Sequence, residues 1–219
     1  MQSKKVEKME RRINWSGHTW IIKTGYEGPG PNKWADDKEN VYLDDSGNLH
    51  LKIISKNGRW YCSEIYGTET FGYGKYIFEI ESAAKLADNV VLGMFVYQND
   101  EQEIDIEFSR WGIPGSPNMV FVVQQTTATK EHNNPYHHEF YIDQNASSVN
   151  QFFWSDSEIS FQTKSSDNTK QWKYPLDYIP KTDNEKVHLN LWLVKGDSPI
   201  NGQEQEVILK SFRFEKEKH

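Results

Sequence analysis

A single cysteine, Cys62, stands in the 219 residues. No internal disulfide can form, and no Cys-rich zinc site is available. Long apolar runs are missing too, since nothing approaches the roughly 20 consecutive apolar residues of a membrane span. The first dozen residues, Met1 to Arg12, carry charges with no apolar stretch behind them, so they do not read as a signal peptide. Basic clusters are equally absent. Lys and Arg number 25 against 32 Asp and Glu, a formal charge of -7, and they are scattered. Such a chain has no electrostatic footprint for nucleic acid or an anionic membrane, and neither is expected as a partner. No segment longer than two turns carries helical periodicity.

Aromatic residues are plentiful, 14% of the chain with 8 Trp and 11 Tyr. They build cores, and they also make flat platforms for sugar rings. Short alternating stretches recur between turn formers. Thr19 to Lys23, Val41 to Leu43, Leu49 to Ile53, Trp60 to Tyr66 and Lys75 to Ser82 read as strands. The nearly continuous apolar run Val90 to Tyr97 reads as a central strand buried on both faces. Further strands are expected at Met119 to Gln125, Val149 to Ser155, Glu158 to Thr163, Lys170 to Lys173, Val187 to Leu193 and Glu206 to Glu215. Gly25 to Asn32 is dense in Gly and Pro and reads as a loop. So many strands with no domain boundary give an all-β, two-sheet jelly roll over residues 15–219, after a charged arm over 1–14.

One stretch carries chemistry. Glu103-Ile104-Asp105-Ile106-Glu107-Phe108 alternates carboxylate and apolar side chain without a slip. A strand throws successive side chains to opposite faces, so Glu103, Asp105 and Glu107 share one and the apolar residues the other. The two glutamate Cα atoms then lie about 13 Å apart. Side chains leaning together close that gap to the ~5 Å of retaining glycoside hydrolysis. Crowded carboxylates cannot all ionise freely, so at least one pKa should rise, as a general acid requires. The same row also fits a solvated acidic face or a cation site. His132, His137 and His138 lie close in sequence without an acidic or Cys partner at ligand spacing, and a polar loop is expected there rather than a metal site.

Glu103-Ile104-Asp105-Ile106-Glu107 resembles the signature of glycoside hydrolase family 16, the laminarinase and lichenase family. Gly47 to Leu51, Phe71 to Tyr76, Trp154 to Phe161 and Asn190-Leu191-Trp192 resemble other family stretches in the family's order. The resemblance spans roughly residues 15–215. It implies a concanavalin A-like jelly-roll β-sandwich with a concave cleft, retaining cleavage of internal β-linkages in a polysaccharide, and no required cofactor. An extracellular or periplasmic location follows from it as well, and we expect a monomer.

Residue by residue, the resemblance implies Glu103 as nucleophile, Glu107 as general acid and base, and Asp105 as the group that tunes both. Glu64, Asn190 and Trp192 match sugar-subsite positions, with Asn32 and Trp34 added to them. Trp60, Tyr66, Tyr97 and Trp111 are platform candidates that equally suit core or rim. The chain departs from the lichenases at Glu101, which replaces a tryptophan, at Ile65 and Tyr66, which replace Asn and Arg, and at Phe153, which replaces Asp. Lys210 stands where many members carry a calcium-binding aspartate, so no calcium is expected there. The other reading is a carbohydrate-binding protein without turnover on the same scaffold. Its usual mark is a lost glutamate, and both are present.

Overall fold

The structure, a computed structural model, describes residues 10–83, 86–124, 136–166 and 168–217. Two antiparallel sheets are stacked. The first runs in the order β1 (Arg12–Trp15), β2 (His18–Ile22), β8 (Ser63–Gly67), β17 (Lys186–Leu193), β10 (Val90–Asn99), β11 (Gln102–Phe108), β12 (Met119–Val123) and β13 (His137–Phe140). The second runs β16 (Asn168–Lys173), β15 (Ile159–Ser165), β14 (Ser148–Trp154), β9 (Gly74–Ile80), β18 (Gln205–Lys216), β6 (Leu49–Lys56) and β5 (Val41–Leu43), with β7 (Arg59–Tyr61) also on β6. β3 (Gly25–Glu27) and β4 (Asn32–Trp34) form a hairpin of their own. Among the described residues the only helix is the 3-10 turn Val194–Gly196. This is the expected jelly-roll β-sandwich.

Period-two alternation builds the interior. Ile104, Ile106 and Phe108 of β11 turn inward with Leu92, Met94 and Val96 of β10 and Leu189 and Leu191 of β17. They meet Tyr76, Phe78, Phe152, Leu209 and Phe212 of the second sheet in one continuous core. Phe121 stacks on Phe161 across the gap, with ring centroids 4.9 Å apart and planes at 17°. Each fully buried side chain of this size contributes roughly 1.5–3 kcal/mol. The other face of the first sheet is left for a cleft.

Several local expectations are corrected. β1 begins at Arg12, inside the segment expected to be an arm, because Ile13 and Trp15 alternate with polar residues and pair with β2. The Arg11 guanidinium anchors the approach, donating to Asp36 O at 2.6 Å and Val41 O at 2.9 Å. The Gly25–Asn32 loop is instead the turn of the β3–β4 hairpin with short strands on either side. Trp60 to Tyr66 is two strands: β7 pairs with the second sheet and β8 with the first. The chain changes sheets at Cys62, which is fully buried in the core, so Trp60 and Cys62 do not share a face with Glu64 and Tyr66. His137 and His138 belong to β13, while His132 and Gln125 lie outside the described residues.

Candidate active site

The carboxylate row of β11 lies on the floor of a cleft of about 610 Å³. Strand register explains its surroundings. Across the sheet, Asp105 pairs with Phe95, Phe95 with His188, and His188 with Tyr66. One row over, Glu107 pairs with Gly93, Gly93 with Asn190, and Asn190 with Glu64. Four strands, β8, β17 and the consecutive pair β10 and β11, therefore bring residues from three distant parts of the chain onto one open face.

Burial and mutual repulsion set the charge states. Removal from water pushes the Glu107 carboxyl up to about 8, and the neighbouring Glu103 charge pushes the same way. Glu103 is raised to about 7, chiefly by burial, with Asp100 and Glu64 adding to the rise and a hydrogen bond from Asp105 opposing it. Asp105 is 3% exposed and is raised well above the usual carboxylate range by burial and by both glutamates. The bond between them lowers Glu103 and raises Asp105, the directions expected when the Asp105 O–H donates a hydrogen bond to the Glu103 carboxylate. Gln124 Nε2 donates to Asp105 Oδ2 at 3.0 Å and fixes the carboxyl's rotation. The arrangement presents one protonated carboxyl beside a second whose anion is stabilised by a hydrogen bond. That pairing serves acid–base and nucleophilic work at neutral pH.

Asn190 lies on the cleft face over Gly93, in the same row as Glu107. Its Oδ1 accepts from Gly93 N at 3.1 Å, and no described residue partners its Nδ2. Glu64 is 2% exposed and accepts from Lys23 Nζ at 3.0 Å. Its other oxygen lies 2.9 Å from His188 Nδ1. The His188 ring stacks between Phe95 and Tyr66, 5.0 and 5.5 Å away at 20° to each. Trp111 and Trp192 meet edge to face at 6.0 Å and form a wall. Trp111 has φ of +55°, which costs a bulky residue about 1–2 kcal/mol. Ser109 Oγ, accepting from Trp111 N at 2.9 Å, helps hold it there.

The structure thus gathers Glu103, Asp105, Glu107, Glu64, Asn190, Trp111 and Trp192 around one cleft. Three other sequence candidates lie elsewhere. Asn32 is 2% exposed, and its amide is consumed internally, donating to Pro29 O at 2.8 Å and Leu193 O at 2.9 Å. Trp34 is a core residue, its indole N–H donating to Glu27 O at 3.0 Å. Trp60 packs against the core from β7, on the second sheet. Sequence reading missed Lys23, Phe95, Gln124 and His188. His188 and Phe95 were within reach: each lies a whole number of two-residue steps from Asn190 or Gly93, on the same face. Lys23 and Gln124 lie just beyond strand ends and carry no periodic signal.

Lys210, at the expected calcium-site position, pairs with Glu81 at 2.6 Å. Among the described residues no cluster of His, Cys, Asp and Glu is placed to hold a metal ion. No helix among them is long and apolar enough to cross a membrane.

No family model and no curated protein sequence matches the chain. Solved structures match it in fold. A β-glucanase of Bacillus licheniformis aligns at 21% identity and TM-score 0.69, over 95% of this chain and 97% of its own. A β-1,3-1,4-glucanase (lichenase) from a mouse hindgut metagenome aligns at 20% identity and TM-score 0.66, over 89% and 92%. A Mycobacterium tuberculosis protein described as an immunostimulatory antigen and pseudo β-1,3-glucanase aligns at 20% identity and TM-score 0.68, over 87% and 88%. The chain has a glycoside hydrolase family 16-like fold.

Proposed function

We propose that the protein is a retaining glycoside hydrolase that cleaves internal β-linkages of a polysaccharide, a β-glucan or a related polymer. The observation that carries this reading is the β11 row, in which Glu103 and Glu107 flank Asp105 on the floor of a cleft of about 610 Å³. The Glu103 carboxylate attacks the anomeric carbon while Glu107 gives its proton to the departing glycosidic oxygen. One C–O bond breaks, one forms, and a glycosyl ester on Glu103 results. Glu107, now a carboxylate, takes a proton from water as the water oxygen attacks the same carbon and releases Glu103. Two inversions leave the configuration unchanged. Asp105 keeps Glu103 an anion before the attack and improves it as a leaving group afterwards.

Asn190 Nδ2 and the Glu64 carboxylate supply a donor and an acceptor for sugar hydroxyls, and Trp111 and Trp192 supply apolar ring faces. The test is reducing-end release from β-1,3-glucan, mixed-linkage β-glucan, β-galactan and agar-type polymers by the wild type and Glu103→Gln. Release by the wild type alone, with the first-formed product keeping its β configuration, is the expected result. No release on any polymer, with both proteins retarded in an affinity gel, would replace the enzyme with a carbohydrate-binding protein. Undiminished turnover by Glu103→Gln would remove Glu103 from the mechanism.

A further inference from the structure

A second cavity, of about 350 Å³, lies beyond the catalytic cleft over β2 and β8. The two share four wall residues, Lys23, Glu27, Glu64 and His188. They follow one line across the sheet, because the row Asp105–Phe95–His188–Tyr66 continues to Ile21 of β2. Four strand spacings, roughly 19 Å, separate its ends. A glycan lying across the strands of the first cavity would run into the second. Of the four shared residues, Lys23 is the one whose side chain bonds both the sheet and the β3–β4 turn.

Lys23 follows β2, and its backbone N–H donates to Glu64 O at 2.9 Å, which fixes its root. Its ammonium reaches in two directions, to Glu64 Oε2 on the sheet at 3.0 Å and to Gly28 O on the β3–β4 turn at 2.7 Å. It also lies 4.5 Å above the Trp34 ring centre. Three groups on three elements therefore hold one flexible side chain, and that side chain ties the turn to the cleft floor. Lys23 is largely buried, with 16% of its side chain exposed. This is the geometry of a strut across a groove.

We propose that Lys23 is a specificity-determining residue that closes one arm of the cleft and sets how many sugar units the protein holds. The proposal rests on the glycan-cleft reading above. With the strut in place, a bound chain ends at Glu64 and His188. Without it, the same chain continues over Tyr66 and Ile21 into the second cavity.

The test uses oligosaccharides of increasing length from whichever panel polymer the protein cleaves or, failing cleavage, is retarded by. Their affinity is measured for Glu103→Gln and for Glu103→Gln with Lys23→Met, and the product lengths made from the polymer by wild type and Lys23→Met are compared. In the parent, affinity levels off once the first cavity is full. In the Lys23→Met protein it goes on rising, by about tenfold over the next sugar units, and any products shift in length. Lys23→Arg, which preserves the cation and both contacts, behaves as the parent. Lys23→Gln, shorter and uncharged, replaces Lys23→Met should that variant melt early. A plateau at the same length in parent and strut-free proteins overturns the strut and leaves the functional reading standing. Neither cleavage nor retardation on any polymer overturns both.

Discussion

Asn190 lies across Gly93 with its amide oxygen 3.1 Å from the Gly93 nitrogen, and Gly93 alone separates it from Glu107 in the sheet register. A Cβ on residue 93 would meet that oxygen at 2.5 Å and the Asn190 Cγ at 3.4 Å. No side chain fits there while Asn190 keeps its place. Gly93→Ala should therefore push the amide into the cleft and disturb the sugar next to Glu107. A misplacement of this kind costs on the order of 100-fold in kcat/KM. Steady-state kinetics on the cleaved polymer and a thermal melt together check this. Unchanged kinetics would show that Asn190 has room to move without consequence.

The pH profile follows from the carboxylate row. Glu103 must be ionised to attack, so activity rises as pH passes about 7. Glu107 must be protonated to donate, so activity falls as pH passes about 8. The expected kcat/KM profile is a narrow bell with its maximum between these values, and its limbs belong to the coupled row rather than to one residue. Glu107→Gln should lose the alkaline limb along with most of its activity. An optimum near pH 5 would mean that the carboxyls are better solvated than the cleft suggests.

The same shift acts on stability. Glu107 titrates near 8 when folded, against 4.5 in the unfolded chain, so the folded state binds the proton more tightly. Below pH 4.5 both states are protonated and the group contributes nothing. As pH rises towards 8, the unfolded chain gives up its proton more readily and stability falls. Glu107→Gln, which cannot ionise, should be more stable than the wild type by several kcal/mol, on the order of 5, at pH 9 and close to it at pH 4. Denaturant unfolding at the two pH values measures the difference.

The site's chemistry was legible in the sequence where periodicity speaks, and much of the rest was not. The alternation of Glu103 to Phe108 alone assigned both faces of β11, whereas Asn190 and Trp192 came from the family resemblance, and their two-residue spacing puts both on the cleft face of β17. The continuous apolar run Val90 to Tyr97 reads as a strand buried on both faces, and Val90 to Val96 are buried, but that pattern carries no sign that Phe95, 8% exposed, lines the cleft. Trp60 and Glu64 are four residues apart in one strand-like run, a spacing that on a single strand would put them on the same face. The chain crosses between sheets at Cys62, and a change of partner strand leaves no mark in local propensity. Lys23 acts through its reach to Gly28 and Glu64, a tertiary relation that no local pattern encodes.

Asn32 separates a structural role from a binding one. Its side chain closes three contacts at once, donating to Pro29 O and Leu193 O and lying 3.3 Å from Cys62 Sγ, which donates to its oxygen. Removing it leaves buried carbonyls unpaired, at about 1–3 kcal/mol each. Asn32→Ala should therefore lower Tm by several degrees, since each kcal/mol is worth roughly 2–4 °C in a chain of this size. Well below Tm, its KM should match the wild type. Cys62 supplies an independent reading, because burial pushes its thiol up to about 12 and keeps it unreactive in the native protein. In Asn32→Ala, labelling of Cys62 by a thiol reagent at pH 8 should quicken as the packing around it loosens. A rise in KM without a change in Tm or labelling would return Asn32 to the sugar-binding set.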